Sequence, residues 1–430
     1  MSVRVTPLRV LGLVLLAILL LLAAWAALAW PHEQQIPSRS PADFAPTAAN
    51  LARGAYLARA GDCMACHTAR GGAAYAGGRA IETPFGTVNS PNITADRATG
   101  IGTWSADDFW RALHNGKSRD GRLLSPAFPY TNYTRVSRPD ADALYAYLQS
   151  VPAVSQPSQP HQLRFPYNTQ TALAAWRLVY FKPAVFEPAT AQSAQWNRGA
   201  YLVEGLGHCS ACHASRNLAG ASGEGLGGGL IPVLNWYAPS LTSDGEAGLG
   251  SWAVPDIVAL LKTGVSQRAT VFGPMAEVVN RSLQHLDEPD IAAMAVYLKS
   301  LPDTPVQKRE VEMTPELQQV LVQGKKLYED HCLDCHAADG KGAPPAYPPL
   351  ADNRALTMDS AVNPIRIVLN GGFAPGTAGN PRPYGMPPFG QVMNDNEVAA
   401  VVTYLRSSWG NAAPPVLARE VARYRSTPID

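Results

Sequence analysis

Residues Val10 to Trp30 form a run of 21 uncharged, mostly Leu, Ala and Val positions, about the length that crosses a bilayer as one helix. Arg4 and Arg9 precede the run and no positive charge closely follows it, which orients the first residues to the cytoplasm and everything after Pro31 outside. Ala27-Leu28-Ala29 is also a small-residue cleavage site, so a removed signal peptide is the other reading, although such apolar regions usually run only about 7–15 residues. Pro31 to Ala49 is rich in Pro, Ser, Ala and Gln and reads as a linker.

Beyond it, apolar positions recur at helical spacing, and the pattern repeats along the chain. Arg53-Gly54-Ala55-Tyr56-Leu57 returns as Arg198-Gly199-Ala200-Tyr201-Leu202, with a weaker third copy at Gly324-Lys325-Lys326-Leu327-Tyr328. Each opens a unit with a short helix. Asn92-Ile93-Thr94 through Trp104 is matched by Leu241-Thr242-Ser243 through Trp252, and each Trp precedes an amphipathic helix, Asp107 to Asn115 and Pro255 to Thr263. Closing helices are expected over Ala141 to Gln149, Asp290 to Lys299 and Glu397 to Arg406, with Tyr147-Leu148, Tyr297-Leu298 and Tyr404-Leu405 as packing positions. The expected organisation is a membrane segment over 1–31, a linker over 32–50, and units over 51–152, 196–302 and 316–411. Linkers over 153–195 and 303–315 separate the units, and a tail covers 412–430.

The six cysteines fall one pair to a unit: Cys63/Cys66, Cys209/Cys212 and Cys332/Cys335. Each pair brackets two residues and is followed directly by a histidine, His67, His213 or His336. CxxC alone suits a redox dithiol or half a zinc site, but CxxCH is the attachment signature of c-type haem. Two thiols add across the two vinyl groups of the porphyrin, and the adjacent imidazole reaches the iron. Three disulfides would leave the histidines unexplained, and the pairs lie too far apart for a zinc ribbon. The expectation is therefore three haem c groups on a mainly α fold: three tandem class I cytochrome c domains with long Gly/Pro-rich loops, preceded by one transmembrane helix.

Methionine on the far face of the haem would complete the iron's coordination. Met275, in Phe272-Gly273-Pro274-Met275, and Met386, in Tyr384-Gly385-Met386-Pro387-Pro388, precede the closing helices of units two and three. Met294 and Met393 read as packing residues. Unit one departs: its matching position is Phe128, in Ser125-Pro126-Ala127-Phe128-Pro129-Tyr130, and no methionine lies between Met64 and Met275. Met64 sits between the attaching cysteines and cannot fold over the opposite face. The sixth ligand of haem one is thus unknown; His114 and His161 are the available imidazoles, and a five-coordinate iron is the other outcome.

Composition adds modestly. With 35 Lys and Arg against 34 Asp and Glu, no basic excess recommends a nucleic-acid partner. Charged residues are only 16%, against roughly 25% in a typical soluble domain, while 36 glycines and 37 prolines supply long loops. There is no GxGxxG after a strand, no Walker loop and no nucleophile elbow, so no catalytic residue is assigned.

The tandem units, RGAYL before CxxCH, the Asn-Ile-Thr to Gly-Ile-Gly-Thr-Trp segment and the Pro-Ala-x-Pro-Tyr loop together resemble the tri-haem cytochrome c subunits of membrane-bound periplasmic dehydrogenases. Those subunits serve alcohol, gluconate, fructose or aldehyde oxidation. The resemblance covers roughly residues 50 to 411. It implies an electron-transfer subunit, not an enzyme on its own, at the inner membrane with its haem domains facing the periplasm. The implied partner is a dehydrogenase catalytic subunit holding PQQ, FAD or molybdopterin with iron-sulfur clusters, and the acceptor is ubiquinone or a terminal oxidase. Family members commonly carry Met where this chain has Phe128, and many are held at the membrane from the carboxyl-terminal region rather than the amino terminus. Leu163 to Asn168, with Trp176 and Phe181, most resembles cytochromes that accompany molybdenum hydroxylase-type aldehyde dehydrogenases. Two other readings stay open: a multi-haem peroxidase using haem one, and a stand-alone electron shuttle.

Overall fold

The computed structural model describes residues 10–17, 19–20, 39–223, 225–303 and 311–427. Its long helices fall where the repeat places them. Opening helices span Ala48–Ala60, Ala194–Tyr201 and Pro315–His331. Each begins at a hydroxyl cap: Thr47 accepts from the Asn50 amide (3.2 Å), Ser193 from Trp196 (3.1 Å) and Thr314 from Leu317 (3.2 Å). Closing helices span Arg138–Ser150, Glu288–Lys299 and Asp395–Ser407, and each packs across its own opening helix.

A glycine sits at every crossing. A Cβ on Gly54, Gly199 or Gly324 would overlap the carbonyl of Ala143, Ala293 or Ala400 and press on Cβ of Tyr147, Tyr297 or Tyr404. Only a residue without a side chain lets the two backbones meet this closely. The Tyr-Leu pairs of the closing helices accordingly belong to the core, with Leu148, Leu298 and Leu405 buried.

Three apolar clusters form, one to a unit, and the first two interlock. Tyr201 and Leu206 of unit two lie in the cluster of unit one, while Ala60 and Tyr56 of unit one join that of unit two. Polar contacts repeat the exchange. Arg53 pairs with Asp140 (2.8 Å) and Arg198 with Asp290 (2.6 Å), each within its unit. Across the boundary, Tyr56 donates to Asp290 (2.5 Å) and Tyr201 to Asp140 (2.6 Å).

Sheet is sparse. Ala80–Thr83 and Gly86–Asn89 form an antiparallel hairpin extended by Gln162–Leu163, while units two and three hold only short pairs, Gly229–Ile231 with Trp236–Ala238 and Gly372–Phe373 with Gly385–Met386.

Two stretches differ from expectation. The segment 153–195, expected to be a linker, carries the third strand of the hairpin sheet and a helix over Gln170–Tyr180. Arg177 of that helix is buried, 4.7 Å from the Phe181 ring centroid and 5.2 Å from that of Tyr130. The tail contains a helix over Ala418–Arg425, fastened by Val421, which is fully buried, and by Arg425, which pairs with Asp395 (2.6 Å). At the amino terminus, residues 10–17 and 19–20 are helical with exposed apolar side chains, and the rest of the expected Val10 to Trp30 span lies outside the described residues. Among the described residues no helix is long and apolar enough to cross a membrane.

Candidate haem sites

Each CxxCH forms a single helical turn after its opening helix, Cys63–Cys66, Ser210–His213 and Leu333–His336, in unit two beyond a π-helical turn over Leu202–Leu206. The three histidines then make the same bond. His67 Nδ1 lies 2.8 Å from the Pro91 carbonyl, His213 Nδ1 2.7 Å from Pro239, and His336 Nδ1 3.2 Å from Pro348. A carbonyl oxygen can only accept, so Nδ1 carries the proton in all three rings and Nε2 keeps its lone pair. That is the arrangement of a metal-ligating histidine oriented by a backbone carbonyl. Burial pushes all three imidazoles below their ordinary pKa, His213 to about 4, which keeps them neutral and able to ligate.

The cysteines show the opposite of thiolate chemistry. Burial pushes Cys63 and Cys209 up to about 12, and Cys66 and Cys332 to about 11. A redox dithiol or zinc ligand needs a lowered value. All six are free, and among the described residues no group of three or more His, Cys, Asp or Glu side chains converges as a metal cluster would require. Cys66 and Cys335 are exposed and the other four half-buried, which leaves each pair open to thioether formation with a porphyrin edge.

Units two and three share one continuous cavity. Cys209, Cys212, His213 and Met275 line one part of it, and Cys332, Cys335, His336 and Met386 line the other. Met275 stands in the first turn of the helix Pro274–Arg281, entered through Gly273 at φ +56°, where a Cβ would strike the Trp236 ring. Met386 is held in a two-residue ladder by pairing with Gly372. Both predicted methionines thus line the same cavity as the predicted proximal histidine of their unit. Met294 and Met393 are buried in the cores of units two and three, and Met294 also lines the cavity.

In unit one, Phe128 packs on the cluster that also receives Cys63 and Met64, the place Met275 takes beside Cys209 in unit two. Its ring centroid is 5.3 Å from that of Tyr133. The side chain offers no donor atom. His114 Nδ1 is bonded to the Thr134 carbonyl (2.7 Å) and the ring stacks on Trp110 (4.6 Å), while His161 Nδ1 accepts from the Asn89 amide (3.2 Å).

The haem turns of units one and two are each tied to the opposite unit, beside its Met275 or Phe128 position. Arg79 donates to the Ala65 carbonyl within the first CxxCH (2.6 Å) and to both oxygens of Glu277 (2.6 and 2.9 Å), two residues beyond Met275. Asn132, on the helical turn after Phe128, donates to the Ser210 hydroxyl within the second CxxCH (2.8 Å). Sequence reasoning missed these partners and the three proline carbonyls. Pro91 stands one residue before Asn92-Ile93-Thr94 and Pro239 two before Leu241-Thr242-Ser243, and that near-recurrence is the available signal.

Comparison with known proteins identifies the family. Residues 51–152 and 321–409 match the Cytochrome c family. The cytochrome c subunit of the quinone alcohol dehydrogenase of Gluconacetobacter polyoxogenes is 38% identical over 87% of this chain and 84% of its own length. The chain belongs to the cytochrome c subunits of dehydrogenase complexes. The gluconate 2-dehydrogenase cytochrome c subunit of Pantoea cypripedii is 41% identical over 87% of this chain and 89% of its own length. A nicotinate dehydrogenase subunit of Pseudomonas putida is 41% identical over 94% of this chain, which spans 34% of that protein. The family carries covalently bound haem c and transfers electrons for a catalytic subunit, without being that subunit.

Proposed function

We propose that this subunit holds three haem c groups and relays electrons from a dehydrogenase catalytic subunit to membrane ubiquinone or a terminal oxidase. The observation that carries the number three is the thrice-repeated bond between histidine Nδ1 and a proline carbonyl, each beside its own cysteine pair. When bound, each haem supplies a one-electron ferric/ferrous couple whose potential the protein tunes. The chain's own residues do the rest. Cysteine pairs fix each porphyrin edge, the proline carbonyls set the histidine tautomer, and Met275 and Met386 are the sulfur donors in units two and three. Phe128 leaves haem one without a protein-derived sulfur ligand.

The shared cavity of units two and three and the contacts between units one and two support unit two as the middle of the relay. The amino-terminal apolar run as anchor puts unit one nearest the membrane, with electrons entering at unit three or two. The quinone named in the alcohol dehydrogenase relative supports ubiquinone as acceptor. The names of the alcohol, gluconate and nicotinate relatives support a dehydrogenase partner. Purifying the native complex tests this directly. The expected result is three haem c per chain by pyridine haemochrome, a co-purifying catalytic subunit, and haem reduction by that subunit's substrate. Fewer than three haems, or a subunit that purifies alone and turns over peroxide, would refute it.

A further inference from the structure

Arg354 opens a short helix of unit three, Arg354–Thr357, yet its side chain is spent inside unit two. Its Nη2 donates to the carbonyl of Ser240, the residue after the proline that orients His213, and its guanidinium carbon lies 5.6 Å from the Trp252 ring centroid. The residue is only 8% exposed, lines the cavity that holds Cys209, His213 and Met275, and keeps its Nε buried with no hydrogen-bond partner. Two carboxylates stand nearby and neither hydrogen-bonds the guanidinium, although the charge of Asp244 acts on it. Asp244 accepts from the amides of Glu246, Ala247 and Gly248 and from the Thr242 hydroxyl. Asp352, two residues before Arg354, pairs with Arg268 (2.6 Å), the other arginine over Trp252. Unit three therefore neutralises one arginine of unit two and inserts a second.

A buried guanidinium beside a cavity costs free energy unless an anion meets it there. Haem c brings two carboxylates of its own, and a guanidinium fork matches a carboxylate in shape and charge. We propose that Arg354 is the charge partner of a carboxylate on the haem of unit two and that it holds that haem's reduction potential up. The sign follows from charge: reduction adds an electron, and a fixed cation close by favours the reduced form. The inference rests on the proposed reading that unit two binds haem c.

The test is a spectroelectrochemical titration of the full chain with Arg354→Gln and Arg354→Lys, after haem content has been measured. At the ambient potential where the parent's unit-two haem is half reduced, Arg354→Gln should lower its ferrous-to-ferric ratio roughly tenfold, equivalent to about 59 mV for one electron. Arg354→Lys, which keeps the charge and loses the fork, should recover most of that change. The component that moves should be the one altered by Met275→Leu, with the other two unmoved. If no component moves, if all three move together, or if Lys behaves as Gln, the proposal is wrong. Should the Gln chain fail to fold, the Lys chain decides alone: its unit-two haem should titrate close to the parent's, and a tenfold fall there would overturn the role of charge. A parent chain with fewer than three haems sinks the reading beneath the proposal, whereas three haems with an unmoved potential sinks the proposal alone.

Discussion

Placing a single methyl group at Gly324 should loosen unit three. Its Cβ would lie 2.8 Å from the Ala400 carbonyl carbon and 2.8 Å from Tyr404 Cβ, with the Ala400 oxygen closer still. Ordinary contact begins near 3.4 Å, and the main obstacle is backbone on a helix that is itself packed, so no side chain can swing aside. Overpacking of this kind costs about 1–3 kcal/mol, and rigid neighbours argue for the upper end. Replacing Gly with Ala inside a helix returns about 1 kcal/mol. The net loss is then about 2 kcal/mol, which for a unit this size lowers the melting temperature by about 8–16 °C. The opening helix ends at His331, next to Cys332, so the Soret band of haem three should shift as the helix separates. Differential scanning calorimetry and thermal difference spectra of the haem-loaded chain measure both effects. Gly227→Ala is the control, since nothing lies within 4 Å of the added Cβ. A Gly324→Ala chain that melts within about 2 °C of its parent would show that the crossing has slack and that the repeated glycine has another cause.

Phe128→Met should give unit one a sulfur ligand: optical and EPR spectra of the parent should show one haem unlike the other two and those of the variant three alike, and a parent with three identical low-spin His/Met haems would refute the assignment. Asp290 has an acid limb worth measuring. Burial alone would raise its carboxyl, but hydrogen bonds from Arg198 and Tyr56 outweigh burial and hold it below the usual value. The folded state then favours the ionised form, so this stability is present above the unfolded value near 3.9 and is lost as pH falls through the lower folded value. Asp290→Asn should flatten the melting curve below about pH 4, and an unchanged acid slope would exclude Asp290 as its source. Cys335→Ala should stop substrate-driven reduction of units one and two if electrons enter at unit three; retained rates place the entry elsewhere.

The elements that build the candidate sites were legible because they are local. CxxCH, the opening and closing helices and Met275 and Met386 are each set by neighbours a few residues away, so spacing and periodicity suffice. What escaped depends on distant partners. The proline carbonyls bond through backbone, which no side-chain pattern encodes, and Arg354 acts 114 residues from Ser240. The Gln170–Tyr180 helix sits in a segment that Pro, Gln and Ser at Pro152 to Pro160 marked as a linker, and its order comes from Arg177 meeting Tyr130 and Phe181. The Ala418–Arg425 helix carries little apolar surface, and its docking depends on Val421 and on Arg425 reaching Gly390, Met393 and Asp395.

The exchange of tyrosines between units one and two has a consequence for biogenesis. Tyr56 waits for an acceptor made 234 residues later. If the chain crosses the membrane amino terminus first, as the proposed function requires, unit one lacks its contacts to Tyr201 and Asp290 until unit two has emerged. The contacts that tie unit one to unit two therefore form only after both units exist. A chain cut after residue 195 should accordingly accept haem yet bind it in a softer, more proteolysis-sensitive unit, and a truncated unit as resistant as the intact pair would show that each half closes unaided.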